Sequence, residues 1–248
     1  MWPARETLPP LDCHAHIAPD VTLQQVAGLE GAQVFAMTRT LAQAALVAGR
    51  RDLGLVWGLG VHPGDPVARA AFDVATLTGL LDRFTLIGEI GLDRRGGDLA
   101  RQQQIFDEIL SSVRGHPVLL SLHSTGAIDE VLEVLTQRSG RGAILHWFTG
   151  NASQVGRAAA LGCYFSVNAA MSDEQLARIP PDRMLPEEFV RVIAAIAEDA
   201  ADWHLARTAD EPTGPGRALG IAGPVGVNIP GVPEPSPSGD AEGDDQDA

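Results

Sequence analysis

The sequence predicts an α/β protein, a (β/α)8 TIM-type barrel over residues 1–207 with a short, incomplete eighth strand, followed by a disordered tail over 208–248. Three observations carry this. Eight short, near-continuous apolar runs alternate with amphipathic helical segments, the pattern of a parallel sheet covered on both faces. Five of the seven histidines (His14, His16, His62, His123 and His146) and one carboxylate, Glu89, fall at the C-terminal ends of those runs, where barrel strands converge on one mouth. The glycine-rich fingerprint of an open dinucleotide-binding sheet is absent.

The strand candidates, in order, are Leu11 to His14, Gln33 to Met37, Leu55 to His62, Leu86 to Gly91, Val118 to His123, Ala143 to Trp147, Cys163 to Val167 and the short Arg183 to Pro186. The helix candidates between them include Thr40 to Arg50, Asp73 to Arg83, Ala100 to Val113, Ala127 to Gln137 and Ser153 to Leu161. Several open on Thr, Asp or Ser, whose side chains cap the first free N–H groups of a helix. Glu188 to Leu205 reads as one acidic helix. Residues 209–248 hold seven of the 17 prolines and eight of the 27 glycines, a composition that cannot bury a core.

Charge and composition exclude several function classes. All 18 basic residues are arginine, which removes Schiff-base lysine chemistry and the P-loop lysine. The net charge of −14 argues against nucleic-acid binding by overall electrostatics, although eight acidic residues and one arginine place −7 of it after residue 208. Cys13 and Cys163 are too few for a disulfide framework and read as buried thiols. The chain has no apolar stretch of the ~20 residues that span a bilayer. Its first residues lack the build of a signal peptide, so a cytoplasmic location without membrane partners is expected.

Side chains two apart on a strand share a face, so His14 and His16 can reach one ion, with Asp12 on the same side. Glu89 sits in an otherwise apolar run, where a carboxylate must find cations or several donors. Its bland partners are Arg39, Arg94 or Arg95; a role bridging two metals fits the nearby histidines better. His123 and His146 close consecutive runs and read together as ligands. His62 reads equally as a substrate contact or as loop packing, and His116 and His204 as bystanders.

The strings Asp12-Cys13-His14-Ala15-His16, Gly60-Val61-His62-Pro63, Gly88-Glu89-Ile90-Gly91-Leu92-Asp93 and His146-Trp147-Phe148-Thr149-Gly150, with Gln102, Phe106 and Gly162 to Asn168, resemble the TatD family of metal-dependent deoxyribonucleases in the amidohydrolase superfamily. The resemblance spans roughly residues 10–187. It implies two divalent ions (Mg, Mn or Zn) ~4 Å apart, one held by His14, His16 and Glu89 and the other by Glu89, His123 and His146. It also implies a DNA or short-oligonucleotide substrate positioned by His62, Asp93 and Arg94, with no nucleotide cofactor. Two departures stand out. The family's arginine after the fifth-strand histidine is Thr125 here. Its eighth-strand Glu-Thr-Asp is reduced to Glu187 followed by Glu188, which leaves Glu187, with Glu89, as the catalytic carboxylates. The competing readings are a barrel hydrolase of a small ester or amide, weakened by the missing lysine, and a metal-binding protein without turnover.

Overall fold

The computed structural model describes residues 9–138 and 141–186, together with two short strands, Arg217–Ala218 and Ile221–Ala222, that pair antiparallel. The rest of the expected tail, the expected helix from Glu188, and Glu187 itself lie outside the described residues.

Eight parallel strands follow one another in chain order around the sheet: β1 Leu11–Ala15, β2 Gln33–Met37, β3 Leu55–Leu59, β4 Leu86–Gly91, β5 Leu119–His123, β6 Ala143–Leu145, β7 Tyr164–Val167 and β8 Met184–Pro186. The two ends of the sheet come side by side, but β1 and β8 share no hydrogen-bonded ladder among the described residues. The barrel is therefore nearly closed, with one unsealed seam. Its weak side is β8, three residues long and ending in a proline that has no N–H to donate.

Helices cover the outside: α1 Leu23–Ala27, α2 Leu41–Val47, α3 Pro66–Ala70, α4 Val74–Leu80, α5 Leu99–Ser112, α6 Ile128–Arg138, α7 Ala152–Ala160 and α8 Asp173–Ala177. Thr40 and Asp73 cap α2 and α4 as their positions suggest, each accepting a backbone N–H one turn in. The cap of α7 is Asn151 rather than Ser153, because Asn151 and Gln154 satisfy each other's backbone in a capping box. Along α5 the buried positions Gln102, Ile105, Phe106, Ile109 and Leu110 follow helical spacing and face the sheet. Every residue of β4 is buried, as expected of a central strand packed on both faces.

Two strands end earlier than their apolar runs. β3 stops at Leu59, because the Gly60 N–H turns out of the ladder to donate to Thr38 Oγ1 at 3.0 Å, which puts His62 in the following loop. β6 stops at Leu145, just before His146.

Packing is tightest under the mouth. A Cβ on Gly60 would lie 2.0 Å from the Thr38 carbonyl and 2.6 Å from the Glu89 nitrogen, whereas Gly79 on α4 has nothing within 4 Å. Opposite effects follow. Gly60→Ala destabilises by about 3 kcal/mol, since backbone rather than a flexible side chain must yield. Gly79→Ala stabilises by roughly 0.5–1 kcal/mol through helix propensity. Urea unfolding of the two variants checks both signs, and equal effects would contradict this packing.

Candidate metal centre at the barrel mouth

The strands deliver a set of imidazoles to one buried carboxylate. β1 carries His14 and leads to His16, β4 carries Glu89, β5 ends on His123, and His146 follows β6. Irregularities in the ladder aim the first two. Between Asp12 and Ala15, β1 runs three residues against two of β2, and between Ile87 and Ile90, β4 does the same against β5. Such bulges re-aim side chains beside active sites. Period-two alternation in the sequence does not disclose them.

Glu89 is 1% exposed and its two oxygens sort the histidines. Oε2 lies 2.9 Å from His16 Nε2, 3.4 Å from His62 Nε2 and 3.6 Å from His14 Nε2. Oε1 lies 2.5 Å from His123 Nδ1 and 4.0 Å from His146 Nε2. The His14 and His146 rings stack across the middle, with centroids 3.5 Å apart and planes at 16°. Two triplets bring their ligand atoms within 4.8 Å of one another: His14, Glu89 and His146; and His16, His62 and Glu89. Despite its three imidazole neighbours, Glu89 Oε2 is buried without a hydrogen bond of acceptable geometry, as is His16 Nδ1. An electron-rich oxygen ringed by ring nitrogens suits a divalent cation, so the residues fit a metal.

Supporting contacts fix the ring orientations. His14 Nδ1 lies 2.8 Å from Ser121 Oγ, the kind of outer bond that turns the other nitrogen toward an ion. His123 Nε2 lies 3.0 Å from Asp93 Oδ2. Buried Gln102 clamps the loop that carries Asp93, accepting its N–H at 2.7 Å and donating to its carbonyl at 2.9 Å. His62 is different. Its Nδ1 accepts the Gly64 N–H at 3.0 Å, so the neutral ring carries its proton on Nε2, facing Glu89. A protonated Nε2 donates; it cannot ligate. His62 therefore reads as a donor beside the metal set rather than a member of it.

Electrostatics agree with this geometry. Burial opposes ionisation of Glu89, but the surrounding His14, His123 and His16 imidazoles hold its carboxyl well below the usual range. Burial likewise opposes ionisation of Asp93, while hydrogen bonds from Arg95 keep it below its ordinary value. Burial pushes His62 down to about 4, against the pull of Glu89.

Other residues singled out by the sequence pair with groups other than Glu89. Arg94 turns away to α6, donating to the Gly126 carbonyl at 2.7 Å and pairing with Glu130. Arg95 is tied to Asp93, and Arg39 pairs with Asp65 at 4.0 Å. Among the described residues the ion-pair partners of Glu89 are all imidazoles. His116 is exposed, and His204 lies outside the described residues. Ser121 and Thr38 carry no local signal of their roles, since a lone hydroxyl in an apolar run looks like ordinary strand sequence.

The sequence profile described as TatD related DNase matches residues 11–187. The chain belongs to this family. It is accordingly a nuclease-type hydrolase acting on phosphodiester bonds, within a metal-dependent family. The 3'-5' ssDNA/RNA exonuclease TatD of Edwardsiella piscicida is 30% identical over 178 residues, covering 65% of this chain and 68% of the relative. That of Erwinia billingiae is 28% identical over 176 residues, covering 65% and 67%. In fold, the chain is similar to a TatD homologue from Escherichia coli, with TM-score 0.65 and 23% identity over 81% of this chain and 95% of that one. It is also similar to a TatD family hydrolase from Entamoeba histolytica, with TM-score 0.58 and 18% identity over 72% and 73%.

The buried neutral His62 sets a pH dependence. Its folded pKa of about 4 lies below the ordinary 6.5, so the unfolded chain takes up this proton first. The stabilisation is complete above pH 6.5 and is lost as pH falls toward 4, by up to about 3 kcal/mol. Denaturant unfolding of EDTA-treated protein at pH 7.5 and 5 measures the loss, and His62→Gln is expected to shrink it. An unchanged loss in that variant contradicts the assignment.

Proposed function

We propose that this chain is a divalent-metal-dependent exonuclease acting on single-stranded DNA or short oligonucleotides. The observation that carries this reading is Glu89, one buried carboxylate whose two oxygens divide five imidazoles into two groups at the barrel mouth. His14 and His16 with Oε2 would hold one ion, and His123 and His146 with Oε1 a second. A set so rich in imidazole suits manganese or zinc better than magnesium. Bound there, such ions supply Lewis acidity to the phosphoryl group and to the attacking water.

The chain's own residues do the remaining work. The Nε2–H of His62, which faces Glu89 Oε2 here, is the donor that becomes available to a phosphoryl oxygen when a metal takes up that carboxylate oxygen. Asp93 holds the His123 ring in place. Glu187, the residue after β8 in the sequence, is the acceptor this reading assigns to the proton of water. Arg94, engaged with Glu130, positions the edge of the mouth through α6 rather than reaching the phosphate itself. The names of the TatD relatives, 3'-5' ssDNA/RNA exonucleases, support the substrate class. We place its action in the cytoplasm, where buried thiols such as Cys13 and Cys163 stay reduced; separately, no described helix is long and apolar enough to cross a membrane.

Purified protein with Mn²⁺ is expected to shorten a 5'-labelled single strand, and EDTA to stop it. Glu89→Ala should lower the rate by more than about 100-fold and abolish metal binding in calorimetry. Glu187→Gln should lower kcat by about 100-fold with metal binding intact. Wild type that binds metal but cleaves no faster than Glu89→Ala would make this a metal-binding protein without turnover.

A further inference from the structure

Trp147 follows His146 directly, and its indole stands edge-on to that imidazole, with centroids 6.5 Å apart and planes at 77°. It is 47% exposed. Among the described residues the only other exposed large aromatic is Tyr164, at the opposite rim, where it opens β7 and lies under the Arg183 guanidinium. Trp147 is thus the aromatic surface of the mouth. Its backbone is held there against preference: φ is +40°, in the left-handed region that bulky residues avoid. The Trp147 N–H donates to Ser166 Oγ of β7 at 2.9 Å, and the next residue, Phe148, is buried edge-to-face against Phe165 at 5.2 Å. Residues on either side are anchored inward, so the indole is fixed outward beside the ligand set. Strain of this kind persists where surrounding structure enforces it, and it clusters at ligand sites.

The charge of the molecule explains why such a surface is needed. The chain has no lysine and a net charge of −14, and the mouth arginines Arg94 and Arg95 are engaged by Glu130 and Asp93. Attraction of the phosphate backbone to a basic groove, the usual source of non-specific affinity, is weak here. Stacking on an aromatic face supplies affinity without charge and tolerates every base, because each has a π-face.

We infer that Trp147 is a nucleobase-stacking platform, receiving the base of the nucleotide whose phosphate lies at the Glu89 centre. This rests on the nuclease reading above. The test uses full-length wild type, Trp147→Ala and Trp147→Phe with a short single-stranded oligodeoxynucleotide and with its counterpart abasic at the 3'-terminal nucleotide. On the normal strand, Trp147→Ala is expected to raise KM about 10-fold, the size of one base–aromatic stack, and Trp147→Phe to recover most of it. On the abasic strand the three proteins converge. An equal loss on both strands, or no loss on either, overturns the proposal. If wild type cleaves neither strand, the nuclease reading falls; fluorescence anisotropy with the same two strands then decides whether Trp147 distinguishes a base from its absence.

Discussion

A single carboxylate placed where water does not reach is the constraint on which this mouth is built. Removing an ionised carboxylate from water costs several kcal/mol, and only close cationic or hydrogen-bonding partners offset that. Among the described residues, Glu89 meets the requirement with imidazoles on both of its oxygens and no arginine. Imidazole is the partner that keeps two options open. It can donate to the carboxylate when protonated, or turn a lone pair to a metal that replaces the proton. A guanidinium in the same place would neutralise Glu89 permanently and close the site.

The surrounding structure follows from holding those rings still. The Thr38 carbonyl accepts the Glu89 N–H at 3.3 Å, and its hydroxyl both donates to Gly58 and accepts from Gly60, tying β2, β3 and β4 together beneath the carboxylate. The absence of a Cβ at Gly60 is what lets these backbones close. Ser121 and Asp93 fix His14 and His123, and Gln102 fixes the loop that carries Asp93. Each support is a buried polar group whose loss strands a partner, which makes the network costly to break and rigid while intact.

Much of this was legible in the sequence, for a physical reason. Strands buried on both faces need continuous apolar runs, and β2 and β4 coincide with theirs residue for residue. The convergence of His14, His16, Glu89, His123 and His146 follows from their positions at strand ends in a parallel barrel. What stayed hidden depends on long-range geometry. The bulges in β1 and β4 are relations between strands. The early end of β3 depends on a hydroxyl 22 residues away. Arg94 follows the site carboxylates in sequence, yet Glu130 on a neighbouring helix takes its guanidinium. The role of His62 was open until the Gly64 N–H fixed its tautomer.

Anomalous diffraction from crystals soaked in Mn²⁺ tests most directly whether Glu89 divides two ions between its two oxygens. Two anomalous peaks are expected to flank this carboxylate, one beside His14 and His16 and one beside His123 and His146. Two peaks away from Glu89, a single peak, or none at saturating metal would contradict this division.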